Sequence, residues 1–164
     1  TTTDLMANAV NALLSHPDQL QKLKKNPSLI NSAVEEIIRF DTSVPFLTRI
    51  AKQDLTIGGK DITAGSVIAV GFGPANHDPE KFEEPEVFDI TRTPNEHLGF
   101  SSGIHFCVGA ALARMELTIC LTTLLRRLPN LRFDPDKQAI PTKYSTLVLK
   151  GFDSLPVKFD ARLK

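Results

Sequence analysis

Cysteine is scarce in this chain: only Cys107 and Cys120 occur in 164 residues. Two thiols make no disulfide framework, and nothing here calls for an oxidising compartment. An excess of either charge is also missing, with 19 basic residues against 19 acidic ones. That balance argues against nucleic acid or an anionic membrane as a bulk partner. No apolar run reaches the roughly 18 residues of a membrane span, and no signal-peptide pattern opens the chain. There are no internal repeats and no low-complexity segments. An initiator Met is lacking as well, so Thr1 reads as a cut end of a processed, trimmed or excerpted protein. Together these absences predict a soluble, cytoplasmic protein. What is present suffices for one sizeable core and one domain: 41% hydrophobic residues, 10 Phe among them.

The pattern along the chain is helices, then strands, then an irregular stretch, then a long helix and a hairpin. Leu5, Ala9, Ala12 and Leu13 recur at helical spacing up to Ser15-His16-Pro17. A short helix is expected from Asp18 to about Lys25. Asn26-Pro27-Ser28 opens a third, with Ile30, Ala33, Val34, Ile37 and Ile38 as its apolar stripe. Thr48 to Val70 reads as short strands broken at Gly58-Gly59 and Ala64-Gly65. Pro74 to Gly99 is too rich in proline and charge for regular elements; a loop of that length in a compact domain is usually functional or disordered. Val108 to Leu128 predicts a strong helix ended by Pro129, and Cys120 within it reads as a small buried hydrophobe. Thr146–Leu149 and Leu155–Phe159 flank Lys150–Ser154 and suggest a hairpin.

The most informative stretch is Phe100-Ser101-Ser102-Gly103-Ile104-His105-Phe106-Cys107-Val108-Gly109. It ends a glycine-containing loop on a cysteine directly before the long helix. Unpaired amides and the positive end of that helix lower the cost of a thiolate, the form of cysteine that binds soft metals. Gly103 permits a positive φ, and Gly109 removes a side chain where something flat and bulky approaches. His105 adds a donor and, when protonated, a positive charge. A lone cysteine between two turn glycines is otherwise a buried structural thiol.

Taken whole, the ten residues resemble the haem-binding loop of the cytochrome P-450 family. Where that family most often has Gly after the leading Phe, this chain has Ser101. The resemblance implies that Cys107 thiolate is the axial ligand of haem iron, with Phe100, His105, Gly103 and Gly109 around the cofactor. It extends along nearly the whole chain. Glu36 and Arg39 are three apart on one helix face. As a surface pair they would contribute roughly 0–1 kcal/mol; as a buried pair the arginine needs several acceptors. Glu36-x-x-Arg39 resembles the family's second signature, and Arg92 sits where its third member belongs. The three would be a structural triad supporting the haem loop.

Arg49, at the start of a strand, is on its own an edge charge. By the resemblance its strand passes beside the haem, and Arg49 and His105 pair with the two propionates, for which the forked guanidinium is suited. Val44, Pro45, Phe46, Leu47 and Phe152 would then face substrate; core packing is their plainer role. Thr1 falls at the catalytic threonine of the family's oxygen-side helix, counted back from His16-Pro17-Asp18; the acid that precedes it in the family is absent, and a helix N-cap is the alternative. His97 serves either the propionate region or the local backbone. Asn76, His77 and Asp78 read as turn formers.

The implied fold is mainly α with small β-sheets (α+β), residues 1–164 being the C-terminal haem-binding portion of a single domain whose N-terminal portion is absent. The implied function is a haem-thiolate monooxygenase with haem b (iron protoporphyrin IX), O₂, a small hydrophobic organic substrate and a ferredoxin-like or flavodoxin-like electron donor. An H₂O₂-dependent peroxygenase and a non-catalytic haem-binding fragment are the alternatives.

Overall fold

The computed structural model describes residues 1–137 and 148–160. The apolar spacings become helices where expected: α1 (Thr2–Ser15), α2 (Pro17–Lys25) and α3 (Ile30–Phe40), the last led in by a 3-10 turn at Pro27–Leu29. Pro17 and Pro27 each occupy a first helical turn, where a missing N–H costs nothing. Leu5, Ala9, Ala12 and Leu13 of α1 meet Ala33, Val34, Ile37 and Ile38 of α3 in one core, closed by Leu117 and Leu121 of α5 (Ala110–Arg127) and by Phe88 and Ile90. The expected long helix thus begins two residues later than Val108. Gly109 is its N-cap, and Ala110 N–H bonds to the Cys107 carbonyl at 3.2 Å.

Three two-stranded antiparallel sheets flank the helices. β1 (Phe46–Ile50) pairs with β4 (Val67–Gly71), setting Leu47 opposite Val70 and Arg49 opposite Ile68. β2 (Leu55–Ile57) and β3 (Lys60–Ile62) form a hairpin across Gly58-Gly59. β5 (Arg132–Phe133) pairs with β6 (Val157–Lys158). Part of the second arm of the expected C-terminal hairpin is therefore a strand, but its partner is β5, a strand too short to show alternation; of the expected first arm, residues 146 and 147 lie outside the described residues, and Val148 and Leu149 form no strand.

Two readings need correction. The stretch from Pro74 onward is not wholly irregular, since α4 (Phe72–Asn76) carries the chain off β4. Cys120 is half-buried rather than buried, because α5 is apolar on more than one side. Ala110, Leu117 and Leu121 face the core, while Leu112, Met115 and Ile119 lie exposed.

Candidate functional site

Arg39 organises the approach to the cysteine loop. Its Nε and Nη2 donate to the two carboxylate oxygens of Glu36 at 2.8 Å each, and both side chains are 0% exposed. That is the buried alternative, and the acceptors it demands are present. Nη1 donates to the carbonyls of Asn76 and Pro85 at 2.8 and 2.9 Å, and Nη2 to that of Val87 at 3.2 Å. Glu36 also accepts the Asp89 N–H and the Asn95 amide at 3.0 Å each, and Arg92 Nε reaches it at 3.2 Å. Arg92 continues to the carbonyls of Glu83, Glu84 and Val87. The three expected members thus meet, pinning the irregular segment to α3 by its backbone.

Asn76 was read as a turn former and is more than that. It is fully buried, and its Oδ1 accepts the Leu98 N–H at 2.7 Å, bracketing the start of the cysteine loop. His77 bridges the Phe40 carbonyl and Glu86, each at 3.0 Å. His97 bonds the local backbone, accepting the Gly99 N–H at Nδ1 (3.2 Å), and it also reaches Glu35. A Cβ on Gly99 would stand 2.5 Å from Ile38 Cγ2, so only glycine lets the loop lie this close to α3.

The loop then turns through Gly103 with φ +59°, as expected, into a 3-10 turn at Gly103–His105. The Cys107 N–H bonds back to the Phe100 carbonyl at 2.9 Å, and the thiol is exposed. It lines a cleft of about 540 Å³ between the start of α1 and the start of α5. Thr1, Leu5, Val44, Leu47 and Phe72 lie on its walls, and Phe100, His105 and Gly109 belong to its loop side. Beside Sγ, a Cβ on Gly109 would meet nothing but that sulfur, at 3.8 Å.

Not every candidate reaches the cleft. Strand alternation turns Phe46 to the face opposite Leu47, and Pro45 and Phe152 are not among the lining residues. Arg49 shares the face of Leu47 two positions on; its guanidinium bonds its own strand at the Thr48 carbonyl, and no carboxylate pairs with it among the described residues. His105 is exposed at the cleft. Thr1 is the N-cap of α1 but makes no side-chain capping bond.

Sequence reasoning missed Glu35 and Arg114. Arg114 donates Nε and Nη2 to the Glu35 carboxylate at 2.7 and 2.8 Å. Burial pushes the Glu35 carboxyl up, but hydrogen bonds from His97 and Arg114, with the Arg114 charge, outweigh it and hold its pKa at about 2. In turn Glu35 pushes the Arg114 guanidinium up against the opposing effect of burial. Burial pushes the Cys120 thiol up.

The Cys107 thiol is thus exposed on a mainly apolar cleft, at the end of a loop backed by a bracket of charged side chains. The cytochrome P-450 family model matches residues 5–159. The chain belongs to the cytochrome P-450 family. Among its relatives, the biotin biosynthesis cytochrome P-450 of Bacillus subtilis is 42% identical over 161 residues, covering 98% of this chain and 40% of that one. The 6-deoxyerythronolide B hydroxylase of Saccharopolyspora erythraea is 42% identical over 148 residues, covering 90% of this chain and 36% of its own length. The crystal structure of CYP109E1 from Bacillus megaterium in complex with testosterone superposes with a TM-score of 0.93 at 37% identity, covering 98% of this chain and 44% of that one. The fold is thus that of the family, and this chain spans well under half the length of these relatives.

The residues present fit the family's haem. The thiol is accessible, no side chain from Gly109 crowds it, the cleft walls are mainly apolar, His105 brings a ring donor to the cleft, and Arg49, on the face of Leu47, offers a cation not engaged by a carboxylate among the described residues. None of the helices described is long and apolar enough to cross a membrane.

Proposed function

We propose that this chain is the haem-ligating part of a cytochrome P-450 monooxygenase. The complete protein inserts one atom of O₂ into a small hydrophobic substrate and releases the other as water, using two protons and two electrons from a ferredoxin-like or flavodoxin-like donor. The observation that carries this reading is the exposed Cys107 thiol on the cleft between α1 and α5. When bound as haem b, iron protoporphyrin IX supplies the oxygen-activating redox chemistry, with electron density donated by the thiolate.

The chain's own residues do the rest. Cys107 holds the cofactor, with its N–H anchored on Phe100. Arg49 and His105 pair with the propionates. Leu5, Val44, Leu47 and Phe72 present apolar walls to the substrate and keep water from it. Thr1 would contribute a hydroxyl to the cleft wall, suited to holding or passing a proton there. An N-terminal partner segment completes the site, because Ile104, Val108, Leu112 and Met115 are exposed beside it. Open apolar surface of this kind marks an interface that is normally covered.

The test is spectroscopic. The reduced, CO-bound protein should show the red-shifted Soret band of thiolate ligation. Cys107→Ser should abolish it, and Cys120→Ser should leave it intact. A band that survives in the Cys107 variant would overturn the reading.

A further inference from the structure

The family signature at Glu36 has a neighbour that does a different task. Glu35 precedes it by one residue, about 100° around α3, and so faces α5 rather than the irregular segment. Its two oxygens take both donors from one edge of Arg114, at 2.7 and 2.8 Å. The same carboxylate meets His97 Nε2 at 3.0 Å. Because His97 Nδ1 accepts the Gly99 N–H at 3.2 Å, the ring proton sits on Nε2 and is donated to Glu35. The His97 side chain is 3% exposed, so this geometry is enclosed.

The two partners of Glu35, Arg114 and His97, converge on Phe100. The Arg114 guanidinium carbon lies 4.6 Å from the centre of its ring. The His97 ring is 6.1 Å away, and the Phe106 ring meets it edge-on at 6.5 Å. Phe100 in turn holds Cys107, since its carbonyl accepts the ligand's own N–H at 2.9 Å. A cation on an aromatic face is attracted by the ring's electron-rich centre, and a bidentate pair fixes direction as well as distance.

We propose that Glu35, His97 and Arg114 are positioning residues for the cysteine ligand. Glu35, on α3, holds Arg114 and His97, and these two clamp Phe100, so that its carbonyl stays on the Cys107 N–H and the thiolate keeps its aim. The Glu36 bracket holds the irregular segment; this one holds the loop. The inference rests on the haem-thiolate reading above.

The test uses the haem-loaded protein carrying Arg114→Ala, Arg114→Lys or Glu35→Gln. The share of the reduced CO complex with the red-shifted Soret band is measured well below each melting temperature. Expected is at least a twofold fall in that share for Arg114→Ala and Glu35→Gln, with partial recovery in Arg114→Lys, which keeps the cation but not the fork. Loss of haem from a folded variant counts with that result. Lower melting temperatures with the parental share intact would mean a brace for stability only, and would overturn the proposal. Should Arg114→Ala not fold, Glu35→Gln decides by the same criterion. The Cys107→Ser control separates the two readings: if it retains the band, the haem-thiolate assignment itself fails.

Discussion

Glu36 and Arg39 face each other through two parallel hydrogen bonds of 2.8 Å, with neither side chain exposed. Removing one partner strands the other in a site closed to water. Breaking a buried pair this way typically costs about 3–5 kcal/mol, against a typical total stability of roughly 5–15 kcal/mol. Glu36→Ala and Arg39→Ala should each give mostly haem-free, poorly folded protein, read by circular dichroism and haem absorbance. A variant melting within about 2 °C of the parent, a shift worth about 0.5–1 kcal/mol at this chain length, would show that the pair adds no more than a surface one.

Arg49 and His105 predict a separable effect. Neither is tied to a carboxylate among the described residues, so replacing either with Leu should leave the protein's own bonds almost intact. Each propionate would nevertheless lose a hydrogen-bond donor, and a bond to a charged group contributes about 1.5–3 kcal/mol. Haem transfer to a scavenging apoprotein should therefore quicken in Arg49→Leu and His105→Leu, while the thiolate-type Soret band persists. Parental transfer rates in both would remove these residues from the propionate role.

Glu35 predicts a pH window. Its carboxyl is held at about 2 when folded, against 4.5 for the free side chain. A folded value below the unfolded one adds stability that is present above the unfolded value and fades as pH falls through the folded one. The gap in unfolding free energy between the parent and Glu35→Gln should be on the order of 1–2 kcal/mol near neutral pH, allowing for screening by water. It should shrink between pH 4.5 and about 2. Denaturant titrations at several pH values test this; a gap that stays constant through that range would contradict the assignment.

Much of this architecture was legible because its signals are local. Helical spacing set α1 to α3, Pro17 and Pro27 marked helix starts, and the glycines and cysteine of one ten-residue run located the loop. Glu36 and Arg39 were legible for the same reason, being one helical turn apart. Glu35 with His97 and Arg114 was not, since the partners lie 62 and 79 residues away and no periodicity links them. Asn76 hid likewise: an asparagine before His-Asp looks like turn chemistry, and only burial shows its amide oxygen serving Leu98. Strand β5 is two residues long, too short to alternate. Phe46, by contrast, was within reach, because period-two geometry already turns it from Leu47.

The hydrogen bonds that Arg39 and Arg92 make to the irregular segment itself go to main-chain carbonyls, those of Asn76, Glu83, Glu84, Pro85 and Val87. A carbonyl is the same on every residue. At Glu83, exposed and held through its carbonyl, the path of the segment is therefore fixed while the side chain is left open, and that acid can be exchanged without loosening the core. Charge can thus drift at such a position, generation after generation, over a scaffold that does not move.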